Sequence, residues 1–145
     1  MTKGVRLPPR LPAAQGELDL GFRVTAREME AIRTGMKIHA AARAPKLTWE
    51  GWRAIAVACS IASERIKSKT GGKVRTPDYT KPMSAFFAAT GFEHLNKDDL
   101  ACATRMLPVW DTIDRWRATL SQARRDKLNN PRQVAEAYAE RGELT

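Results

Sequence analysis

The sequence predicts an all-α protein, a single compact bundle of five to seven helices in 145 residues. Apolar residues recur at spacings of three and four along several segments, and residues that cap helices precede those segments. No alternating apolar run typical of a strand occurs. With 43% apolar residues, a chain of this length can build one core. We expect a helical domain at 25–141, an N-terminal arm at 1–24 and a tail at 142–145.

The N-terminal arm is expected to be extended and flexible. It contains Pro8, Pro9 and Pro12 with three glycines, and its apolar residues follow no sustained period. The N-terminus also lacks the apolar run of a secretory signal. No apolar run in the chain approaches the roughly 20 residues that cross a bilayer. We therefore expect a cytoplasmic protein that does not enter membranes.

Capping residues and a proline delimit the first helix. Thr25 and Glu28 have the spacing of a capping box, in which each side chain accepts a hydrogen bond from the backbone of the other residue. The helix continues to about Arg43, because Pro45 disfavours a helical conformation in the residue before it. Gly35 is expected to weaken this helix.

A second helix, capped by Thr48, has the most regular apolar stripe in the chain. Two tryptophans one turn apart could stack on nucleobases, but the same stripe continues in small and aliphatic residues. We therefore expect both tryptophans to pack in the core. The stripe consists of Trp49, Trp52, Ile55, Ala56, Cys59, Ala62 and Ile66.

The second half of the chain contains the other predicted helices. A third helix begins at Asp78 or Thr80 and ends at Gly91, which suits a left-handed terminating conformation. A fourth helix, capped by Asn96, runs to about Leu107. The remaining helical segments are 109–120, one or two turns in 121–128, and a last helix from a cap at Asn130 to Gly142.

The net charge of +9 is concentrated before residue 81. Residues 65–76, here called the basic segment, hold five cations, no carboxylate and the Gly71-Gly72 pair. We expect this segment to form a flexible loop. Such charge repels itself unless an anion binds it. We expect these cations, assisted by Arg6 and Arg10 of the arm, to contact nucleic-acid phosphates. The five cations are Arg65, Lys67, Lys69, Lys73 and Arg75.

The basic segment is not a nucleotide-binding P-loop. That motif requires glycine where Lys67 stands and serine or threonine where Val74 stands, after a strand that the sequence does not predict. A flexible loop that contacts a phosphate backbone needs only charge and reach. A solvated loop without a partner is the alternative.

Residues 83–106 resemble a helix-turn-helix, with a short apolar helix, a glycine in the turn and a capped second helix. In that motif the first residues of the second helix contact the base edges of DNA. Here these residues include Asp98 and Asp99, whose carboxylates would face the phosphates and oppose binding. Two interpretations stay open, and a purely structural hairpin is the favoured one. In the other interpretation DNA is contacted by Asn96, Lys97, Thr104 and Arg105.

No catalytic or metal-binding pattern is recognised in the sequence. His39 and His94 have no Ser, Cys or carboxylate at the spacing of a triad or metal set. Cys59 and Cys102 lie in apolar helical patterns, so we expect buried free thiols. Helix capping and charge balance explain the carboxylates of the second half. We expect a protein that is not an enzyme and holds no metal or cofactor.

The order of these features resembles small basic helical proteins of bacterial phages, plasmids and other mobile elements. The resemblance covers roughly residues 48–140. Such elements commonly encode small DNA-associated regulators and accessory factors, so the resemblance implies a role of that kind. It rests on the Trp49-x-x-Trp52 helix, the basic hinge, the helix from Tyr79 to Phe87, the turn at 90–92, and the segments 116–120 and 128–134.

The sequence therefore favours a non-enzymatic nucleic-acid-associated protein, with DNA preferred over RNA. The alternative is a protein-interaction module, an inhibitor or adaptor that uses its tryptophan-bearing helices against an acidic host protein. A homodimer that leaves part of the Trp110 and Trp116 face exposed is compatible with either function.

Overall fold

The computed structural model describes residues 20–42 and 47–141, and within these ranges the protein is helical without strands. The predicted fold class is confirmed. Residues 1–19 of the predicted arm, with Arg6 and Arg10, and the predicted tail lie outside the described residues. The helices are α1 (Ala26–Ala42), α2 (Trp49–Thr70), α3 (Pro77–Thr90), α4 (Lys97–Met106), α5 (Trp110–Arg117), α6 (Gln122–Lys127) and α7 (Pro131–Glu140), with 3₁₀ turns at Phe92–His94 and Leu107–Val109.

The capping box predicted at the start of α1 is present. The backbone N–H of Thr25 donates to Glu28 Oε1 at 2.8 Å, and the backbone N–H of Glu28 donates to Thr25 Oγ1 at 3.0 Å. These bonds satisfy two backbone donors that a helix start otherwise leaves unpaired.

The central helix is α2, against which α1, α3 and α4 pack. At Gly35 the backbones of α1 and α2 come so close that a Cβ atom would lie 3.1 Å from the carbonyl oxygen of Ala54. The glycine that was expected to weaken α1 therefore permits its closest contact with α2. Trp49, Trp52 and Ile55 of α2 are buried, which confirms the prediction that its tryptophans belong to the core.

The start of α3 and the end of α5 differ from the predicted positions. α3 begins at Pro77. The first N–H groups of a helix have no partner within it, so a proline, which has no backbone N–H, is well tolerated there. α5 ends at Arg117, before the predicted limit at 120, and Ser121 then caps α6 by accepting a hydrogen bond from the N–H of Arg124. A capping residue takes an extended backbone conformation, so the fifth helix cannot continue through Ser121.

Candidate functional site

The basic segment begins as helix and ends as a tight turn. α2 extends to Thr70, so Lys67 and Lys69 lie in its last turn and not in a flexible loop, as the sequence had suggested. Gly71 and Gly72 have φ angles of +68° and +89°, and both N–H groups donate to the carbonyl of Lys67. Glycine adopts this left-handed conformation without the strain that a Cβ atom causes. The Gly-Gly pair thus ends the helix and fixes where the following cations begin.

Two of the five cations predicted to bind phosphate are paired within the protein. Arg65 donates to both carboxylate oxygens of Glu28, with 2.7 Å from Nη2 to each oxygen. Lys67 Nζ lies 3.0 Å from Glu64 Oε2, one helical turn away. The spacing of Glu64 could have revealed the second pair, whereas the first joins residues 37 positions apart and needs the fold. Arg65 and Lys67 are therefore poorer phosphate ligands than the sequence indicated.

The other three cations of the basic segment are exposed. Lys69, Lys73 and Arg75 form no ion pair with any residue in the described ranges 20–42 and 47–141. The hydroxyl of Thr70 donates to the carbonyl of Lys73 at 2.8 Å and thereby holds the turn closed. The charges of these three side chains remain available to an anionic partner.

An open groove of about 750 Å³ lies between α3 and α4 above α2, and we call it the α3–α4 groove. It brings Arg75 of the basic segment together with Lys97 and Arg105 of α4, three cations that we call the cationic rim. No Asp or Glu among the described residues lines the groove. The other lining residues are Cys59, Ser63, Val74, Tyr79, Met83, Phe87, Leu100, Ala101 and Thr104.

The helix-turn-helix resemblance is only partly reflected in the structure. α3 and α4 both pack against α2, and the groove separates them. Asp99, which was expected to oppose phosphates, is buried and accepts a 2.6 Å bond from Arg132 of α7, whereas Asp98 is exposed. Asn96 is engaged as the cap of α4, accepting from the N–H of Asp99 at 2.9 Å.

The hydroxyl of Thr104, another predicted contact, donates to the carbonyl of Leu100. Of the DNA contacts predicted on this hairpin, Lys97 and Arg105 are therefore the two whose charged ends are exposed. The structure brings both to the groove that also contains Arg75.

The tryptophans do not form an exposed face. Trp110 is fully buried and stacks on Trp49 with ring centroids 3.8 Å apart, while the half-buried Trp116 packs edge-on against Tyr138. Of the face formed by Trp110 and Trp116, only Trp116 is therefore partly exposed, because the rings of Trp110 and Trp49 bury each other. Because Trp49, Trp52 and Trp110 are buried, none of them presents an exposed ring to a partner.

Both cysteines and His39 have structural surroundings, whereas His94 is exposed. Burial raises the pKa of Cys59 to about 12, so its thiol stays protonated near neutral pH, and burial also raises the pKa of Cys102. Burial lowers the pKa of His39, whose ring packs edge-on against Phe92. Among the described residues, no group of His, Cys, Asp and Glu side chains is arranged to hold a metal ion.

A second cleft, of about 590 Å³, lies where α2, α4 and α7 begin. Three helix starts favour an anion, but at each start one or two N–H groups already bond to the capping side chain of Thr48, Asn96 or Asn130. Asp99 and Asp126 also line the cleft. It is a less suitable anion site than the cationic rim.

Comparisons with protein-family models, with characterised proteins and with solved structures found no match to this chain. None of the helices in the described part of the chain is long and apolar enough to cross a bilayer. The apolar lining of the groove is what sequence reasoning missed, because its members were assigned to the core. The one signal of the groove in the sequence was Val74, an apolar residue placed between two cations. In the structure its side chain is 43% exposed.

Proposed function

We propose that the protein is a non-enzymatic, nucleic-acid-associated protein that binds DNA through phosphate contacts. The observation that carries this proposal is the group of exposed cations, Lys69, Lys73 and Arg75, that lack an ion pair in the described part of the chain. Lys97 and Arg105 extend the group along the α3–α4 groove. A regulator or accessory factor of a mobile element is the role that the sequence resemblance suggests.

These cations suit a site that recognises the phosphate backbone more than the bases. Lys69 ends a long helix, and Lys73 and Arg75 follow a turn that two glycines fix. Phosphate contacts position a protein on a duplex but carry no sequence information. Of the DNA contacts predicted around α4, the polar side chains of Asn96 and Thr104 are engaged within the protein, which leaves the cations Lys97 and Arg105. We therefore expect similar affinity for duplexes of different sequence.

The salt dependence of binding tests this proposal. If the five exposed cations each neutralise one phosphate, the slope of log affinity against log salt should be about −4 to −5. We expect fluorescence anisotropy with a labelled DNA duplex to give this slope, and an RNA duplex to bind more weakly. Replacing Lys69 and Lys73 with serine should make the slope less steep by roughly 2.

A charge-matched control separates this site from general attraction. Lys37 of α1 and Lys127 of α6 are exposed, so the variant Lys37→Ser/Lys127→Ser loses the same charge elsewhere. Both double variants should unfold within about 0.5 kcal/mol of the parent protein, since they change only surface side chains. An equal loss of DNA binding in the two variants, or no binding by the parent protein at low salt, would overturn the proposal.

A further inference from the structure

The walls of the α3–α4 groove have the length and spacing of a helix-binding site. On α3 the lining residues Tyr79, Met83 and Phe87 stand four residues apart, and on α4 the lining extends from Lys97 to Arg105. Each wall is therefore about 12 Å long, the length of two helical turns. A second helix fits such a groove by inserting apolar side chains spaced three and four residues apart.

The groove exposes apolar surface that a partner would bury. Ala101 and Val74 are exposed, and Phe87 is half-buried although it belongs to the apolar side of α3. The Tyr79 hydroxyl lies 2.7 Å from the Ser63 hydroxyl of α2, so this ring is held at the groove wall. Removing apolar surface from water favours association by about 25 cal/mol per Å².

The charge of the groove restricts the occupant. Arg75, Lys97 and Arg105 surround it and no carboxylate lines it, so an acidic segment is attracted and a basic one is repelled. The first twelve residues of this chain hold Lys3, Arg6 and Arg10 and no carboxylate, which disfavours them as the occupant. A separate acidic partner meets both requirements of the groove.

We propose that the α3–α4 groove binds an amphipathic helical segment of a partner protein, with apolar anchors on one face and carboxylates beside them. The anchors would lie between α3 and α4, and the carboxylates would pair with the cationic rim. This site shares Arg75, Lys97 and Arg105 with the nucleic-acid proposal, but its apolar walls have no role in phosphate contacts. It also differs from a site formed by the rings of Trp49, Trp52 and Trp110, which are buried.

A designed peptide is the probe for this site. It would form about four helical turns, with leucines spaced three and four residues apart and glutamates flanking them. Anisotropy of the labelled peptide should show saturable binding to the full chain. A peptide with lysines in place of the glutamates should bind at least about tenfold more weakly, because the cationic rim repels it.

Two substitutions at the exposed Ala101 separate the apolar and charged parts of the site. Ala101→Glu places a carboxylate one helical turn from both Lys97 and Arg105 and would offset one of the three positive charges of the rim. Ala101→Trp fills the groove without changing its charge. Each should weaken peptide binding at least about tenfold, a loss of roughly 1.4 kcal/mol. The control Ala88→Glu, on an exposed position of α3 outside the groove, should bind like the parent protein.

The outcomes distinguish this proposal from the nucleic-acid proposal. Lys69→Ser/Lys73→Ser should lose DNA affinity and keep peptide affinity, while Ala101→Trp should do the reverse. No peptide binding by the parent protein, or equal loss in Ala88→Glu and Ala101→Glu, would overturn the inference. Unchanged binding in Ala101→Trp would also overturn it, because it would reduce the contact to charge alone. Circular dichroism verifies that each variant is folded.

Discussion

The two ends of α2 differ in whether their polar and charged side chains have partners within the protein. At its N-terminal end, aromatic and charged groups are bonded to one another in the interior. At its C-terminal end, cations lie on the surface, and three of them lack an ion pair in the described ranges. The difference shows which charges maintain the fold and which remain for a partner.

At the N-terminal end of α2, both N–H groups of Trp49 have hydrogen-bond partners. Its backbone N–H donates to Asn129 Oδ1 at 2.9 Å, and its Nε1–H donates to Asp114 Oδ1 at 3.2 Å. The guanidinium of Arg117 lies 5.2 Å from the centre of its ring. This end thereby ties α2 to α5 and to the segment before α7.

The C-terminal end offers the opposite arrangement. Only Arg65 and Lys67 have carboxylate partners there, and the turn that follows bears Lys73 and Arg75 without an ion pair among the described residues. Unbalanced charge costs stability through self-repulsion, so its retention on one surface is typical of a binding site. We expect substitutions at the first end to affect folding and those at the second end to affect binding.

The largest effect is expected for Trp49→Ala. Trp49 is 1% exposed and stacked on Trp110, so removing its ring leaves a large cavity and takes one hydrogen-bond donor from Asp114. The free energy of unfolding should fall by about 3–5 kcal/mol. Urea denaturation followed by circular dichroism measures this change.

The matching substitution at the other end is Val74→Ala. Val74 is a large apolar residue that is exposed, so its replacement removes little buried surface. The free energy of unfolding should change by less than about 0.5 kcal/mol. Similar losses in the two variants would show that the ends of α2 do not differ as described.

A smaller effect is expected for Arg117→Gln. The Arg117 guanidinium donates to the carbonyls of Leu128 and Arg125 and is largely buried, and this burial lowers its pKa. Its loss takes the donors from the carbonyl of Leu128, whereas the carbonyl of Arg125 still accepts from the N–H of Leu128. The loss should cost roughly 2 kcal/mol of unfolding free energy. Arg115→Gln is the control, since Arg115 is exposed on the same helix and should change stability by less than about 0.5 kcal/mol. A loss in Arg115→Gln as large as in Arg117→Gln would contradict this account.

Local patterns predicted the fold well because helix starts and apolar stripes are properties of short segments. Thr25, Thr48, Asn96 and Asn130 act as caps where the sequence indicated them. The site was predicted less well, because ion pairing is decided between distant segments. Nothing near Arg65 in the sequence indicates that Glu28 neutralises it.

The groove was not predicted for a related reason. Met83, Phe87 and Leu100 have the periodicity of core residues, and periodicity identifies an apolar side of a helix without showing what covers it. Only the separation of α3 from α4 in the fold leaves that side partly open.

The smallest effect on stability, and the sharpest test of the C-terminal end, is expected for Glu28→Gln. Glutamine can still accept the hydrogen bond that completes the capping box, so the substitution mainly removes the charge that faces Arg65. The backbone N–H of Thr25 and the Arg65 side chain lower the pKa of Glu28 from its ordinary value of 4.5. Its ionised form therefore stabilises the fold above about pH 4.5, and this contribution is lost as the pH falls through the lowered pKa.

Glu28→Gln should accordingly unfold at a lower temperature than the parent protein at neutral pH, and the difference should shrink on acidification below about pH 4.5. If DNA binds the cations at this end, the released Arg65 adds a phosphate contact, and the salt slope should become steeper by roughly 0.9. Glu30→Gln removes an equal charge from an exposed position of the same helix and controls for net charge. The same steepening in Glu30→Gln would mean that overall charge, and not the release of Arg65, governs binding. A difference between the Glu28→Gln and Glu30→Gln slopes would show that the fold withholds Arg65 from the surface that binds DNA.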